Sequence, residues 1–182
     1  MAPDRPRIIA HRGSSGTAPE NTMAAFRLAA SEGAFGIELD VHLTADGIAA
    51  VCHDGHLLRT TGVDGRIGQM DWDDLSRLDA GSWKGPQYAG ERIPRLSEVL
   101  AFCRRTGLWV NIELKGEPEP TESLVDAVIR DVQDARMTGA VLLSSFHHGC
   151  LLAADDRPDG LPVGLLSETL DEGLWELLEE RA

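Results

Sequence analysis

The chain has 182 residues, of which 42% are hydrophobic and 26% are charged, and a formal net charge of −13 at pH 7. This length and composition are typical of one globular domain, and we treat 1–182 as a single domain. The acidic balance argues against nucleic acid as a partner, because nucleic-acid binding requires basic patches. No segment is apolar enough for a signal peptide or stable membrane insertion, and the three cysteines lack CxxC spacing. We therefore expect a cytoplasmic protein with reduced thiols.

Short β-branched runs alternate with helical patterns along the chain. The pattern predicts strands at 7–11, 35–43, 48–53, 108–114, 141–145 and 163–166. It predicts helices at 19–33, 71–78, 96–105 and 121–137, and one more after each of the last two strands. Strands separated by helices indicate a parallel sheet. Six such strands without a GxGxxG pattern favour a (β/α) barrel of the TIM type over a doubly wound sheet.

The segment 36–47, GIELDVHLTADG, alternates apolar and polar residues, which indicates a half-buried strand. Glu38 and Asp40 project to the same side and would repel each other unless a positive charge lies between them. We interpret His42, further along, as a surface residue. If the following Asp-Gly pair closes a two-residue hairpin, Asp40 lies opposite His53 on an antiparallel strand. A barrel would instead run both strands parallel, with both residues at one rim.

Polar side chains stand near the ends of the first four predicted strands. In a barrel, the carboxyl ends of the strands form the site of chemistry, so these side chains should converge. One polar strand face is readily explained as solvated surface, but polar ends on four strands at one rim are not. The set comprises His11, Arg12, Glu38, Asp40, His53, Asp54, Asn111, Glu113 and Lys115.

Glu38, Asp40 and Glu113 form an all-oxygen set, which suits a hard cation such as Ca²⁺ or Mg²⁺. A bound cation would also cancel the repulsion between the first two carboxylates. His11 and His53 could be further ligands, or a general acid and base that titrate near neutral pH.

Lys115 is one of only two lysines among 17 basic residues. A compact ammonium at this place suggests a point-charge contact to phosphate. The alternative is an ion pair with Glu113 or Glu117. Asn21 precedes the first long helix, and we interpret it as a helix cap.

Four segments, AHRGSSGTAPENTMAAF, GIELDVHLTADGIAAVCHD, IPRLSEVL and NIELK, resemble the signature segments of the glycerophosphodiester phosphodiesterase family. The resemblance runs from Ile8 to about Leu166. It implies a (β/α)₈ barrel that uses a divalent cation to hydrolyse glycerophosphodiesters to glycerol 3-phosphate and an alcohol. It also implies an inserted, lid-like subdomain at 56–95, after the third strand.

The resemblance further implies a role for each candidate residue. The acid/base pair would be His11 and His53, the phosphate contacts Arg12 and Lys115, the metal ligands Glu38, Asp40 and Glu113, and Phe146 would line the pocket. In the implied mechanism the neighbouring glycerol hydroxyl attacks phosphorus, and water then opens the cyclic phosphate.

About six β/α units are predicted, so the barrel is expected to be incomplete. We expect a chain truncated after the sixth strand that is marginally stable or closes its sheet by homo-oligomerisation. One alternative function is a related lysophospholipase D or phosphoinositide phospholipase. Another is an inactive remnant that still binds metal.

Overall fold

The structure is a computed structural model that describes residues 6–116, 122–155 and 161–169. Its strands are β1 (Ile9–His11), β2 (Gly36–Leu43), β3 (Ala49–Val51), β4 (Trp109–Leu114), β5 (Val141–Ser145) and β6 (Val163–Leu165). Its α-helices are α1 (Met23–Ser31), α2 (Leu58–Thr61), α3 (Trp72–Leu75), α4 (Leu96–Thr106), α5 (Glu122–Asp134) and α6 (His148–Asp155). Short 3₁₀ helices cover Ile67–Gln69, Pro86–Tyr88 and Thr138–Ala140. The helix predicted after β6 lies outside the described residues.

Five strands form a parallel sheet in the order β1-β2-β4-β5-β6, and β3 pairs with β2 from outside this path. Within the described ranges, β1 and β6 are the two edges and the sheet is not closed. The predicted α/β architecture of an incomplete barrel is confirmed. Among those same residues, no helix is long and apolar enough to cross a membrane.

β3 runs antiparallel to β2, so the hairpin interpretation is correct for its direction and the parallel one is wrong. The predicted pairing of Asp40 with His53 is also wrong, by one residue, because Val41 pairs with Val51. The cause is the loop, which is longer than two residues. Thr44 closes it, with its N–H donating to the Ile48 carbonyl oxygen and its Oγ1 accepting from the Ile48 N–H, both at 2.9 Å.

β2 is buried on both faces, so the half-buried prediction is wrong. One face carries Ile37, Leu39 and Val41 into the main hydrophobic core, with residues of β4, α4 and α5. The other face carries Glu38, Asp40 and His42, which are only 8%, 0% and 6% exposed. A strand inside a parallel sheet is covered on both sides, which its sequence period does not reveal.

His42 is therefore not a surface residue. Its Nε2 lies 3.1 Å from the His53 carbonyl oxygen, and burial lowers its pKa. The ring thus ties β2 to the segment that follows β3.

The segment 56–95 has a small core of its own, formed with two residues of the β3 region. Its buried members are Ala50, Cys52, Leu57, Ile67, Trp72, Leu75, Ala80 and Ile93. The segment contacts the loop after β1, since Lys84 Nζ donates to the Ser15 carbonyl oxygen at 2.7 Å and the Tyr88 hydroxyl donates to that of Thr17 at 3.1 Å. It is thereby fixed beside the carboxyl end of β1.

Candidate metal centre and active site

The strand register aligns polar side chains in two rows on the face of the sheet opposite the apolar core. Register partners in a parallel sheet point to the same side. One row contains His11, Glu38 and Asn111, and the next contains Asp40, Glu113 and Ser144. The predicted convergence of the first strands on one site is therefore observed for β1, β2 and β4.

Glu38, Asp40 and Glu113 form a compact acidic cluster. One carboxylate oxygen from each residue lies within 4.8 Å of the others, and all three side chains are buried. Buried charges of one sign are costly unless a counter-ion neutralises them. Three carboxylates converging in this way can hold a hard divalent cation.

The cost of burying these like charges is evident in the pKa of the Glu38 carboxyl. Burial, and next the charge of Asp40, raise its pKa from 4.5 to about 7. The Arg12 backbone N–H donates to Glu38 Oε2 at 2.9 Å and opposes the shift. The positive φ of Arg12, 56°, belongs to the turn that aims this N–H at the carboxylate.

Asn21 binds Asp40, which the interpretation as a helix cap missed. Its Nδ2 donates to Asp40 Oδ2 at 2.8 Å, and its Oδ1 accepts from the Asp40 N–H at 3.3 Å. The cap of α1 is Thr22, whose hydroxyl accepts from the Ala25 N–H. Asn21 has a φ of 57°, a left-handed conformation that asparagine tolerates better than most residues. The sequence signal that could have shown that Asn21 is not the helix cap is its position directly before Thr22, which is itself a good capping residue.

Two cationic side chains border the cluster. Arg12 Nε lies 3.4 Å from Asp40 Oδ2, and Lys115 Nζ lies 3.3 Å from Asp40 Oδ1 and 2.5 Å from Glu113 Oε1. The ion pair of Lys115 with Glu113, one of the alternatives open from the sequence, is therefore present. Glu117 lies outside the described residues.

The two candidate histidines differ in their surroundings. The His11 side chain is 67% exposed, with Nε2 at 3.8 Å from Glu38 Oε2. His53 is half-buried, and its Nδ1 lies 2.6 Å from Asp54 Oδ1. Burial raises the pKa of Asp54, but hydrogen bonds from Arg59 and His53 outweigh it and lower this pKa to about 2. Asp54 thus contacts the His53 ring at Nδ1 and not at Nε2.

Unpartnered polar atoms concentrate at this site. Seven buried side-chain nitrogen and oxygen atoms of the described residues have no hydrogen-bond partner. Six of the seven belong to residues of the two rows or to Arg12, which lies beside the rows. Those six are Arg12 Nε, Glu38 Oε1, Asp40 Oδ1, Asn111 Oδ1, Glu113 Oε1 and Ser144 Oγ. Two of these oxygens, Asp40 Oδ1 and Glu113 Oε1, are in ion-pair contact with Lys115 Nζ. Because buried polar atoms are normally paired, this concentration indicates a ligand site.

Asn111 belonged to the predicted set of converging side chains but had no role assigned to it. Ser144 was not predicted, and only its place on the strand register, beside Glu113, brings it to the site. Phe146, just past β5, is 49% exposed. A cavity of about 420 Å³ adjoins Lys115, between the end of β2 and the inserted segment, and is bordered also by His42, Thr44, Arg66 and Gln69.

The fold and site define an α/β protein of the barrel type with a candidate centre for a cation beside arginine, lysine and histidine side chains. The family model described as "Glycerophosphoryl diester phosphodiesterase family" matches residues 11–177. The chain belongs to this family.

Among curated proteins, the glycerophosphodiester phosphodiesterase of Caldanaerobacter subterraneus is 40% identical over 159 residues, which cover 87% of this chain and 65% of that protein. The glycerophosphodiester phosphodiesterase of Bacillus altitudinis is 42% identical, over 80% of this chain and 60% of that protein. The chain thus spans less than two thirds of the length of these relatives.

Among solved structures, an Oleispira antarctica phosphodiesterase in complex with the product sn-glycerol-3-phosphate superposes with a TM-score of 0.90 and 38% identity, over 96% of this chain and 71% of that one. The Thermotoga maritima glycerophosphodiester phosphodiesterase gives a TM-score of 0.75 at 30% identity, over 97% of this chain and 69% of that one.

Proposed function

We propose that this protein hydrolyses glycerophosphodiesters to glycerol 3-phosphate and an alcohol, with a divalent cation and two histidines. The observation that carries the proposal is the buried cluster of three carboxylates with unpartnered oxygens beside Arg12 and Lys115. The names of the curated relatives support the reaction class. The product bound to the Oleispira antarctica enzyme supports the small-molecule substrate.

The cation would be held by Glu38, Asp40 and Glu113. It would be Ca²⁺ or Mg²⁺, since both prefer carboxylate oxygen. When bound, it would polarise the phosphoryl oxygens of the substrate. It would also relieve the carboxylate repulsion that Lys115 partly neutralises in the structure, so that this ammonium could contact phosphate instead.

The protein's own groups would handle the protons and the charge. The hydroxyl next to the phosphodiester attacks phosphorus and gives its proton to one histidine, and the other histidine protonates the oxygen of the departing alcohol as the P–O bond breaks. Water then opens the cyclic phosphate, with the two proton transfers reversed. Arg12 and Lys115 hold the negative charge on the phosphoryl oxygens. The cavity beside Lys115 offers room for part of the substrate.

The decisive test is release of glycerol 3-phosphate from glycerophosphocholine by the purified chain, with Ca²⁺, with Mg²⁺ and with a chelator. We expect turnover that needs the cation and is lost in His11→Ala and in His53→Ala. The matched control is His56→Ala, which removes a histidine paired with Asp64 at 3.0 Å in the inserted segment. Turnover that survives the chelator, or loss of turnover in the control alone, would contradict the proposal.

The role of the substrate hydroxyl has its own test. A diester with the adjacent hydroxyl methylated should not be hydrolysed, because it cannot form the cyclic phosphate. Brisk turnover of this compound would exclude the mechanism. A lysophospholipid assayed in parallel distinguishes the phospholipase alternative.

Four finer points stay predictions. We propose that 56–95 acts as a lid on the substrate side and that Phe146 lines the pocket. The cytoplasmic location rests on the sequence alone. Homo-oligomerisation at the sheet edge, where Ile8 is 68% exposed beside β1, is testable by sedimentation.

A further inference from the structure

Arg59, in α2 of the inserted segment, contacts two carboxylates with all three of its nitrogens. Nη2 and Nη1 donate to the two oxygens of Glu20 at 2.7 and 3.1 Å, and Nε donates to Asp54 Oδ2 at 2.6 Å. Glu20 lies in the loop between β1 and α1, and Asp54 follows β3. One guanidinium therefore joins three segments of the chain.

Each of these carboxylates also holds a residue of the proposed site. The second oxygen of Asp54 lies 2.6 Å from His53 Nδ1. Glu20 Oε1 accepts from Arg12 Nη1 at 3.2 Å. Arg59 is thus connected to the proposed acid/base histidine, His53, through Asp54. It is connected to the proposed phosphate-binding arginine, Arg12, through Glu20.

The geometry favours positioning over a contribution to stability. A guanidinium is planar, and its donors have fixed directions, so it fixes the two carboxylates relative to each other. The Arg59 side chain is 44% exposed, so solvent screens its ion pairs and limits what they add to folding stability. The ring of Trp83, 5.8 Å from Cζ, flanks the guanidinium.

We propose that Arg59 is a positioning residue, which orients His53 through Asp54 and Arg12 through Glu20 and so couples the inserted segment to the reaction. Its relevance to catalysis rests on the proposed function. The contacts of Arg59 themselves do not involve Glu38, Asp40 or Glu113.

The kinetic test compares Arg59→Gln and Arg59→Lys with the wild type. We expect kcat/KM to fall by about 10²-fold in Arg59→Gln, the cost of a small misplacement of reacting groups. Arg59→Lys should recover only part of this loss, because one ammonium cannot reproduce three directed donors. The control is Arg92→Gln, which removes an exposed arginine of the same segment whose Nη1 donates to the Arg77 carbonyl oxygen. It should retain wild-type kinetics.

Two further variants separate the effect of Arg59 on His53 from its effect on Arg12. Asp54→Asn should lower mainly kcat, through His53, and Glu20→Gln should mainly raise KM, through Arg12. Adding Arg59→Gln to the Asp54→Asn, Glu20→Gln double variant should change kcat/KM little, because residues that act as a unit are not additive. An additive loss would overturn the proposal.

A measurement without substrate keeps the inference separate from the proposed function. The ¹⁵N shifts of the His53 ring, recorded over a series of pH values, report which ring nitrogen carries the proton. The wild type should show the proton on Nδ1, and Arg59→Gln should show a mixture of tautomers with unchanged far-UV circular dichroism. If the wild type has no diesterase activity, the proposed function fails, and these shifts alone decide about Arg59. Unchanged shifts, or kcat/KM within about threefold of the wild type in Arg59→Gln, would overturn the positioning role.

Discussion

Asp79 and Glu38 are carboxylates of the same chain in opposite situations. Asp79, in the inserted segment, accepts four hydrogen bonds, from the Gly81, Ser82 and Gly90 N–H groups and the Ser82 hydroxyl, at 2.8–2.9 Å. These bonds lower its pKa. Glu38 is buried beside Asp40 with one oxygen unpartnered, and its pKa is raised.

The difference separates a carboxylate that is satisfied within the folded chain from the proposed metal ligands. The carboxylate of Asp79 is satisfied within the folded chain, so its role is to hold a loop. The carboxylates of the acidic cluster (Glu38, Asp40 and Glu113) include buried oxygens without a hydrogen-bond donor, and burial makes this deficiency costly. The proposed cation would neutralise these carboxylates, and four changes test the contrast between the cluster and Asp79.

The largest effect is expected from Asp40→Asn. The loss of one carboxylate from the cluster should weaken cation binding and lower kcat/KM by about 10³-fold, since stabilisation of the phosphoryl charge is lost. Calorimetric titration with Ca²⁺ and Mg²⁺, together with glycerol 3-phosphate release, checks both parts. Cation affinity equal to that of the wild type would show that the cluster is not the metal site.

Asn21→Gly should have a smaller effect on the same carboxylate. Glycine tolerates the positive φ of Asn21, so the variant removes the hydrogen bonds to Asp40 without backbone strain. We expect cation affinity to fall about 10- to 100-fold, as for other residues that orient a metal ligand. Ser31→Gly, which removes an exposed hydroxyl bonded to the Leu28 carbonyl oxygen, is the control. Equal affinities in both variants would deny Asn21 this role.

Glu38→Gln should change the pH dependence of stability in metal-free protein. Because the folded-state pKa of Glu38, about 7, exceeds its ordinary value of 4.5, the native state binds more protons between these pH values. Stability should therefore fall as pH rises through this window, on the order of 3 kcal/mol for this group. Urea unfolding with a chelator measures it. The same slope in wild type and variant would contradict the assignment.

The smallest effect on activity is expected from Asp79→Asn. The amide nitrogen cannot accept hydrogen bonds, so the melting temperature should fall by a few degrees while kcat/KM of the folded protein is unchanged. The lowered pKa of Asp79 gives stability that is present above its ordinary pKa of 3.8 and lost as pH falls through the folded-state value. The variant should lack this acid sensitivity. A loss of turnover without a loss of stability would place Asp79 in the site.

The sequence alone determined the architecture and much of the site. The alternation of β-branched runs with helical patterns predicted the six strands of the described residues, because periodicity records which faces are apolar. Polar residues at strand ends predicted the carboxylate cluster, because parallel strands end at one edge of a sheet. The signal is strong on β1, β2 and β4, because the alternation along each strand decides which of its side chains share a face.

Tertiary structure decided the rest. The direction and register of β3 depend on the loop that Thr44 closes, and the burial of His42 depends on the segment after β3 lying across it. Asn21 binds Asp40, which lies 19 residues away in the chain, and Arg59 joins the nearby Asp54 to Glu20, which lies 39 residues away. Contacts over such distances leave no period in the sequence, because they depend on how the segments pack and not on the residues that flank each one.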